Sequence, residues 1–118
     1  MTKNFLIIVL LTLLTSCQSN SQNNMIPKEE IIGFFDRMKS NGVDTNTKML
    51  YGYFFTNNEP KKLEKVAEEL KAQGFEYVDI YQDETNQYWL HMERIEIHDS
   101  ESLFSLNKEL YAIADKIS

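Results

Sequence analysis

The chain has 118 residues, with 18 acidic against 12 basic side chains and a formal net charge of −6 at pH 7. This length allows one small domain with a single hydrophobic core. An acidic domain repels phosphate backbones and anionic membrane surfaces, so we expect no nucleic-acid partner and no electrostatic membrane binding. The single cysteine excludes a disulfide within the chain.

The first sixteen residues have the layout of a secretory leader. Lys3 supplies a positive charge, and an apolar run over residues 5–11 follows that is too short to span a bilayer permanently. The segment Leu14-Thr15-Ser16-Cys17 then resembles the lipobox of bacterial lipoproteins. That resemblance implies cleavage before Cys17, acylation of its thiol and anchoring of the mature protein to a membrane. The alternative is an ordinary cleaved leader with an incidental cysteine.

A polar segment follows the cysteine. Residues 18–24 contain no apolar side chain, which predicts a disordered tether. No acidic residue comes directly after Cys17, and in a two-membrane bacterium this resembles lipoproteins that are passed on to the outer membrane. The sequence therefore predicts a leader over 1–16, a lipidated tether over 17–26 and a domain over 27–118, held at the outer membrane and facing the periplasm.

The first half of the domain predicts a helix, a strand and a second helix. Apolar residues recur at helical spacing from Pro27 until Asn41-Gly42, which predicts a helix over 28–41. The aromatic-rich run 49–55 predicts a strand. After Pro60, an apolar stripe at helical spacing predicts a helix that ends at Gly74.

The second half predicts a hairpin and a closing helix. Strands over 75–81 and 88–97 flank a turn at 83–86. The alternation of apolar residues in the later strand shifts by one position, which predicts a bulge or a bend near Glu93-Arg94. Asp99 or Ser100 is expected to cap the final helix.

This order, α-βαββα, predicts an α+β fold. Strand, helix, hairpin and helix match a ferredoxin-like split βαβ unit with a three-stranded antiparallel sheet and two helices on one face. The helix over 28–41 is an extra N-terminal element, and the fourth strand of the unit is missing. The strand over 49–55 would then have an unpaired edge, which either the first helix shields or a partner strand or second copy occupies.

Four segments carry a resemblance to the RraB-like family, the ribonuclease E inhibitor B proteins. They are the helix over 28–41 with Gly42-Val-Asp44 after it, the run Leu50-Tyr-Gly-Tyr-Phe-Phe55, the stretch from Leu63 to Val78 and the closing helix, within a match over roughly 28–118. The resemblance implies a ferredoxin-like fold and a non-catalytic regulator that inhibits a protein partner. The founding target is a cytosolic ribonuclease, which a periplasm-facing lipoprotein would not meet. We therefore expect an unknown protein partner, such as an envelope enzyme or a toxin.

The sheet face opposite the helices is the first candidate site. If Val78, Ile80, Leu90 and Met92 face the helices, an aromatic set faces outward: Tyr51, Tyr53, Tyr77, Tyr81, Trp89 and His91. Such a face stacks bases in some RNA-binding domains. Here Asp79 and Glu93 replace the expected basic residues, which favours a protein or a neutral ligand. The alternative is that the helix over 28–41 folds across this face and buries Phe34, Phe35 and Met38 there.

Other chemistry has little support in the sequence. His91, Glu93 and His98 are the only cluster of metal-ligand types, and no fourth ligand is evident. No nucleophile motif or phosphate loop is present, so we predict no catalytic residue, no metal and no cofactor. The competing hypothesis is a small-ligand-binding envelope module with a pocket between the helix over 28–41 and the sheet.

Overall fold

A computed structural model describes the backbone of residues 6–12 and the whole of residues 25–117. The elements are β1 (Leu6–Thr12), α1 (Lys28–Ser40), β2 (Met49–Asn57), α2 (Pro60–Ala72), β3 (Glu76–Gln82), β4 (Tyr88–Glu96) and α3 (Ser100–Ile117). From α1 onward the order is the predicted α-βαββα. The lipobox and most of the tether lie outside the described residues. Of the three described helices, none has the length and apolar character needed to cross a membrane.

The sheet confirms the predicted split βαβ arrangement. β4 lies between β2 and β3 and pairs with both in antiparallel direction. The order of strands is β1-β2-β4-β3. β1 was not predicted, because its apolar run has the pattern of a leader. It pairs in parallel with the outer edge of β2, from Leu6 opposite Leu50 to Thr12 opposite Thr56.

The hydrophobic core lies between the sheet and the helices α2 and α3. Alternate residues of β2 point into it, and their side chains are almost fully buried: Met49, Tyr51, Tyr53 and Phe55. The predicted stripe of α2 and the corresponding stripe of α3 close the core from the other side. Full burial of a large apolar side chain contributes about 1.5–3 kcal/mol. This layer is therefore the main source of stability.

α1 packs beside α3 in the helical layer and does not lie across the opposite face of the sheet. Its Ile31 and Phe35 are buried in the core, and Lys28 forms an ion pair with Glu101 of α3. The alternative that α1 folds across the outer face of the sheet is therefore wrong. Met25 and Ile26, assigned to the tether from the sequence, also lie against the core.

The sheet irregularity lies in β3 and not in β4. β4 pairs with β2 without interruption, so the bulge predicted near Glu93-Arg94 is wrong. The register of β3 against β4 shifts between Tyr77 and Asp79, which leaves Val78 as the extra residue. The alternation of apolar residues along β4 changes because charged side chains occupy the helix side at the end of this strand.

Candidate functional site: the open sheet face

The open face is the side of the sheet turned away from α2 and α3. Four rings cross it, and we call them the aromatic stripe: Phe54, His91, Trp89 and Tyr81. Phe54 and His91 are stacked with ring centroids 4.3 Å apart, and Tyr81 and Trp89 are stacked at 6.4 Å. Phe54 meets Trp89 edge to face at 6.3 Å, which makes the stripe continuous across β2, β4 and β3.

The β3–β4 turn holds the indole of Trp89 in place. Trp89 Nε1–H donates a hydrogen bond to Asp83 Oδ2 at 2.7 Å. Asp83 Oδ1 accepts hydrogen bonds from the backbone and hydroxyl of Thr85 at 2.8 and 2.7 Å and from Gln87 N–H at 3.1 Å. The bonds from Trp89 and Thr85 lower the pKa of the Asp83 carboxyl to about 2, so it stays ionised. The ring therefore needs little ordering before a partner binds.

One end of the open face is acidic. Glu76 of β3 and Glu93 of β4 lie directly opposite each other in the strand register, and Asp79 is the register partner of His91. Like charges opposite each other in a sheet are destabilising. Ile95 beside them is 60% exposed, and a shallow concavity of about 130 Å³ lies at this end. A positively charged group bound here would relieve the repulsion between the carboxylates.

Tyr51 and Tyr53, predicted on the open face, lie on the helix side and are fully buried, so their predicted placement is wrong. The Tyr53 hydroxyl donates to Glu96 Oε2 at 2.6 Å, and Arg94 Nε donates to Glu96 Oε1 at 2.8 Å. Burial and the hydrogen bond to Glu96 raise the pKa of Tyr53, and burial raises the pKa of Tyr51 to about 12. Both phenols therefore belong to the core.

The remaining predicted residues divide between the two faces. Tyr77 lies on the helix side, where Lys71 Nζ stands 5.7 Å from its ring centroid, because the bulge at Val78 reverses the alternation. Its predicted outward placement is wrong. Tyr81, Trp89 and His91 lie on the open face as expected. Phe54 was not predicted on this face, although it alternates with Tyr53 and Phe55 along β2 and so points to the side opposite theirs.

The three possible metal ligands do not share a site. His91 Nε2 lies 3.2 Å from Glu93 Oε2 on the open face. His98 contacts the Tyr51 ring edge to face at 4.9 Å on the helix side and lies 3.1 Å from Glu96 Oε2. The sheet thus separates the two histidines. Within the described residues, no group of three metal-ligand side chains is close enough to hold an ion.

The fold and this face define a class of small α+β domain, a split βαβ unit with helices on one side and partly exposed rings on the other. The chain belongs to the RraB family: the sequence model of this family, described as Regulator of ribonuclease activity B, matches residues 28–118. The family resemblance seen in the sequence is therefore confirmed, and the family is one of regulators. Neither the curated proteins nor the solved structures that were compared contain a significant match.

Proposed function

We propose that this protein is a non-catalytic, lipid-anchored regulator that binds another protein through the open face and blocks it. The observation that carries the proposal is the aromatic stripe, which α1 leaves uncovered and the β3–β4 turn holds in position. Rigid aromatic side chains beside polar groups are the usual anchors of protein interfaces. Membership of a family of regulators supports the same reading.

The chemistry of the open face indicates what the partner presents. Glu76, Asp79 and Glu93 disfavour RNA, because their carboxylates repel phosphates even where the rings could stack on bases. A protein surface with lysine or arginine beside an apolar patch fits better, and enzymes that bind nucleic acid carry such surfaces. A nuclease is therefore a suitable target by chemistry, in keeping with the family description.

The location of the protein restricts which enzyme it meets. In this proposal the leader over 1–16 is removed, Cys17 is acylated, and the domain faces the periplasm from the outer membrane. A cytosolic ribonuclease is then out of reach, and the partner is an envelope enzyme, an exported enzyme or a toxin. Replacing the anchor site, Cys17→Ser, should abolish the incorporation of labelled palmitate into the protein.

Two tyrosines of β3 provide a matched test of the open face. Tyr81 is 40% exposed on the open face, and Tyr77 is 45% exposed on the helix side. Tagged protein is used to capture partners from detergent-solubilised envelopes, and bound proteins are quantified by mass spectrometry. We expect Tyr81→Ala to reduce the partner yield about tenfold, which corresponds to about 1.4 kcal/mol, while Tyr77→Ala retains it. Equal yields from both variants would contradict the proposal.

A further inference from the structure

A groove between α1 and α3 is separate from the open face and has a volume of about 520 Å³. Its walls are largely apolar, with Ile26, Phe34 and Leu103 among the lining residues. This volume lies within the range of small-molecule sites in proteins, which are mostly apolar with a few polar groups that orient the ligand. The groove is therefore large enough to take a molecule with a single ring and substituents.

The polar group of this groove is the side chain of Asn107. Asn107 is 0% exposed and occupies a position in the buried stripe of α3, between Leu103 and Leu110. Neither its Oδ1 nor its Nδ2 has a hydrogen-bond partner in the structure as described. A buried amide without partners is destabilising, and leucine would fill the same position without that cost. The amide thus lies at the wall of the groove with both of its hydrogen-bonding groups left without a protein partner.

The mouth of the groove favours a neutral ligand. Gly33 of α1 lines it, and a side chain added there would meet only Arg37 Nη1, at 3.5 Å from its Cβ. Arg37, Glu29 and Glu30 also line the groove, so charges of both signs stand at its edge. An ionised ligand of either sign would meet a like charge. The absence of a side chain at Gly33 keeps the apolar interior accessible.

We infer that this groove binds a small neutral molecule with an apolar ring and an amide edge. Asn107 offers one acceptor, Oδ1, and donors on Nδ2, so its complement is a group with a donor and an acceptor side by side, such as a primary amide or a lactam. The apolar walls take the ring, and the two hydrogen bonds give orientation and specificity. This site is independent of the protein-binding face.

Benzamide and N,N-dimethylbenzamide separate the amide recognition from simple apolar binding. Titration of isotope-labelled full-length protein is followed through the side-chain amide signals of Asn107. Benzamide should shift these signals saturably, and the dimethyl compound, which lacks the N–H donor, should bind at least about tenfold more weakly. Asn107→Leu should raise the melting temperature and abolish the preference for benzamide.

Gly33→Leu provides a variant that fills the groove without a strained backbone. It should prevent the binding of both compounds, whereas Ile32→Ala, at an exposed neighbouring position, should leave both unchanged. The inference is overturned if benzamide causes no saturable shift. It is also overturned if Asn107→Leu lowers the melting temperature and leaves benzamide binding intact, because the amide would then serve only the fold or an ordered water.

Discussion

Glu96 is a charged residue with a structural role on the helix side of the sheet. Its carboxylate accepts hydrogen bonds from Tyr53 and Arg94 and lies 3.1 Å from His98 Nε2. Burial alone would raise the pKa of Glu96, but the hydrogen bonds from His98 and Tyr53 outweigh it, and the pKa is lowered. The carboxylate thus gives the buried Tyr53 hydroxyl its hydrogen-bond partner within a largely apolar core.

Replacement of this carboxylate is therefore expected to destabilise the fold. Because its folded-state pKa is lowered, its contribution is present above the unfolded pKa of about 4.3 and is lost as the pH falls through the folded value. Glu96→Gln should reduce the free energy of unfolding by about 1–3 kcal/mol at pH 7 and flatten the loss of stability in acid. Urea denaturation of both proteins, at pH 7 and in acid, measures the free energy of unfolding.

Glu84 provides the control for that experiment. It lies exposed in the β3–β4 turn, so Glu84→Gln should leave the free energy of unfolding within about 0.5 kcal/mol of the wild type. If Glu96→Gln left the free energy of unfolding at pH 7 unchanged, the hydrogen bonds to Tyr53 and Arg94 would make no net contribution to stability.

At the scale of elements, local patterns in the sequence were sufficient to predict the helices and their ends. The apolar stripe of α2 and the cap of α3 are examples: Asp99 Oδ1 accepts the Ser102 N–H at 2.8 Å, as its position predicted. The faces of the strands were harder to assign. Aromatic residues of β2 occur on both faces of the strand, so alternation alone does not show which face is buried. Burial of Tyr53 also depends on Glu96, which is 43 residues away. No local pattern contains that information.

The bulge at Val78 is the second feature that local patterns do not contain. Regular alternation would place Val78 on the core side with Ile80, whereas the structure leaves Val78 42% exposed and turns Tyr77 towards α2. This single extra residue explains why Tyr77 was assigned to the open face together with Tyr81. The open face was thus predicted in outline, with three of its four rings identified.

Deletion of Val78 should consequently be tolerated. The residues on either side of Val78 already pair with consecutive positions of β4. Removing Val78 should therefore leave every other residue of β3 on its present face of the sheet. We expect a melting temperature within about 5 °C of the wild type. Deletion of Ile95 from the central strand β4 would instead reverse the faces of the residues beyond it and should prevent folding. Loss of folding in both variants would contradict the assigned bulge.

The predicted leader contributes a strand to the sheet, so its removal would change the fold at one edge. β1 comes from the predicted leader and pairs with the outer edge of β2. If the leader is removed in the mature protein, as we propose, this edge loses its partner strand and becomes able to pair with another chain. A second copy of the protein is one candidate for that role.

Two register partners on the open face test this pairing. Once the leader is removed, Leu50 lies on an edge strand, β2, and Ile95 lies opposite it on the central strand β4. A lysine on an edge strand disfavours strand addition. Protein lacking residues 1–16 should form dimers as its concentration rises, Leu50→Lys should remain monomeric, and Ile95→Lys should still dimerise. Light scattering after size-exclusion chromatography measures the mass. A monomer at all concentrations for the unsubstituted protein would exclude the dimer.

We propose that the open face contacts a protein partner in the cell envelope. A photo-crosslinking amino acid placed at position 81 or at position 77 of the full-length protein in living cells tests this contact. Irradiation should join position 81 to a protein of the envelope and give no such product from position 77, on the opposite face. Cross-links from position 77 alone, or products from both positions that contain only cytosolic proteins, would contradict the account.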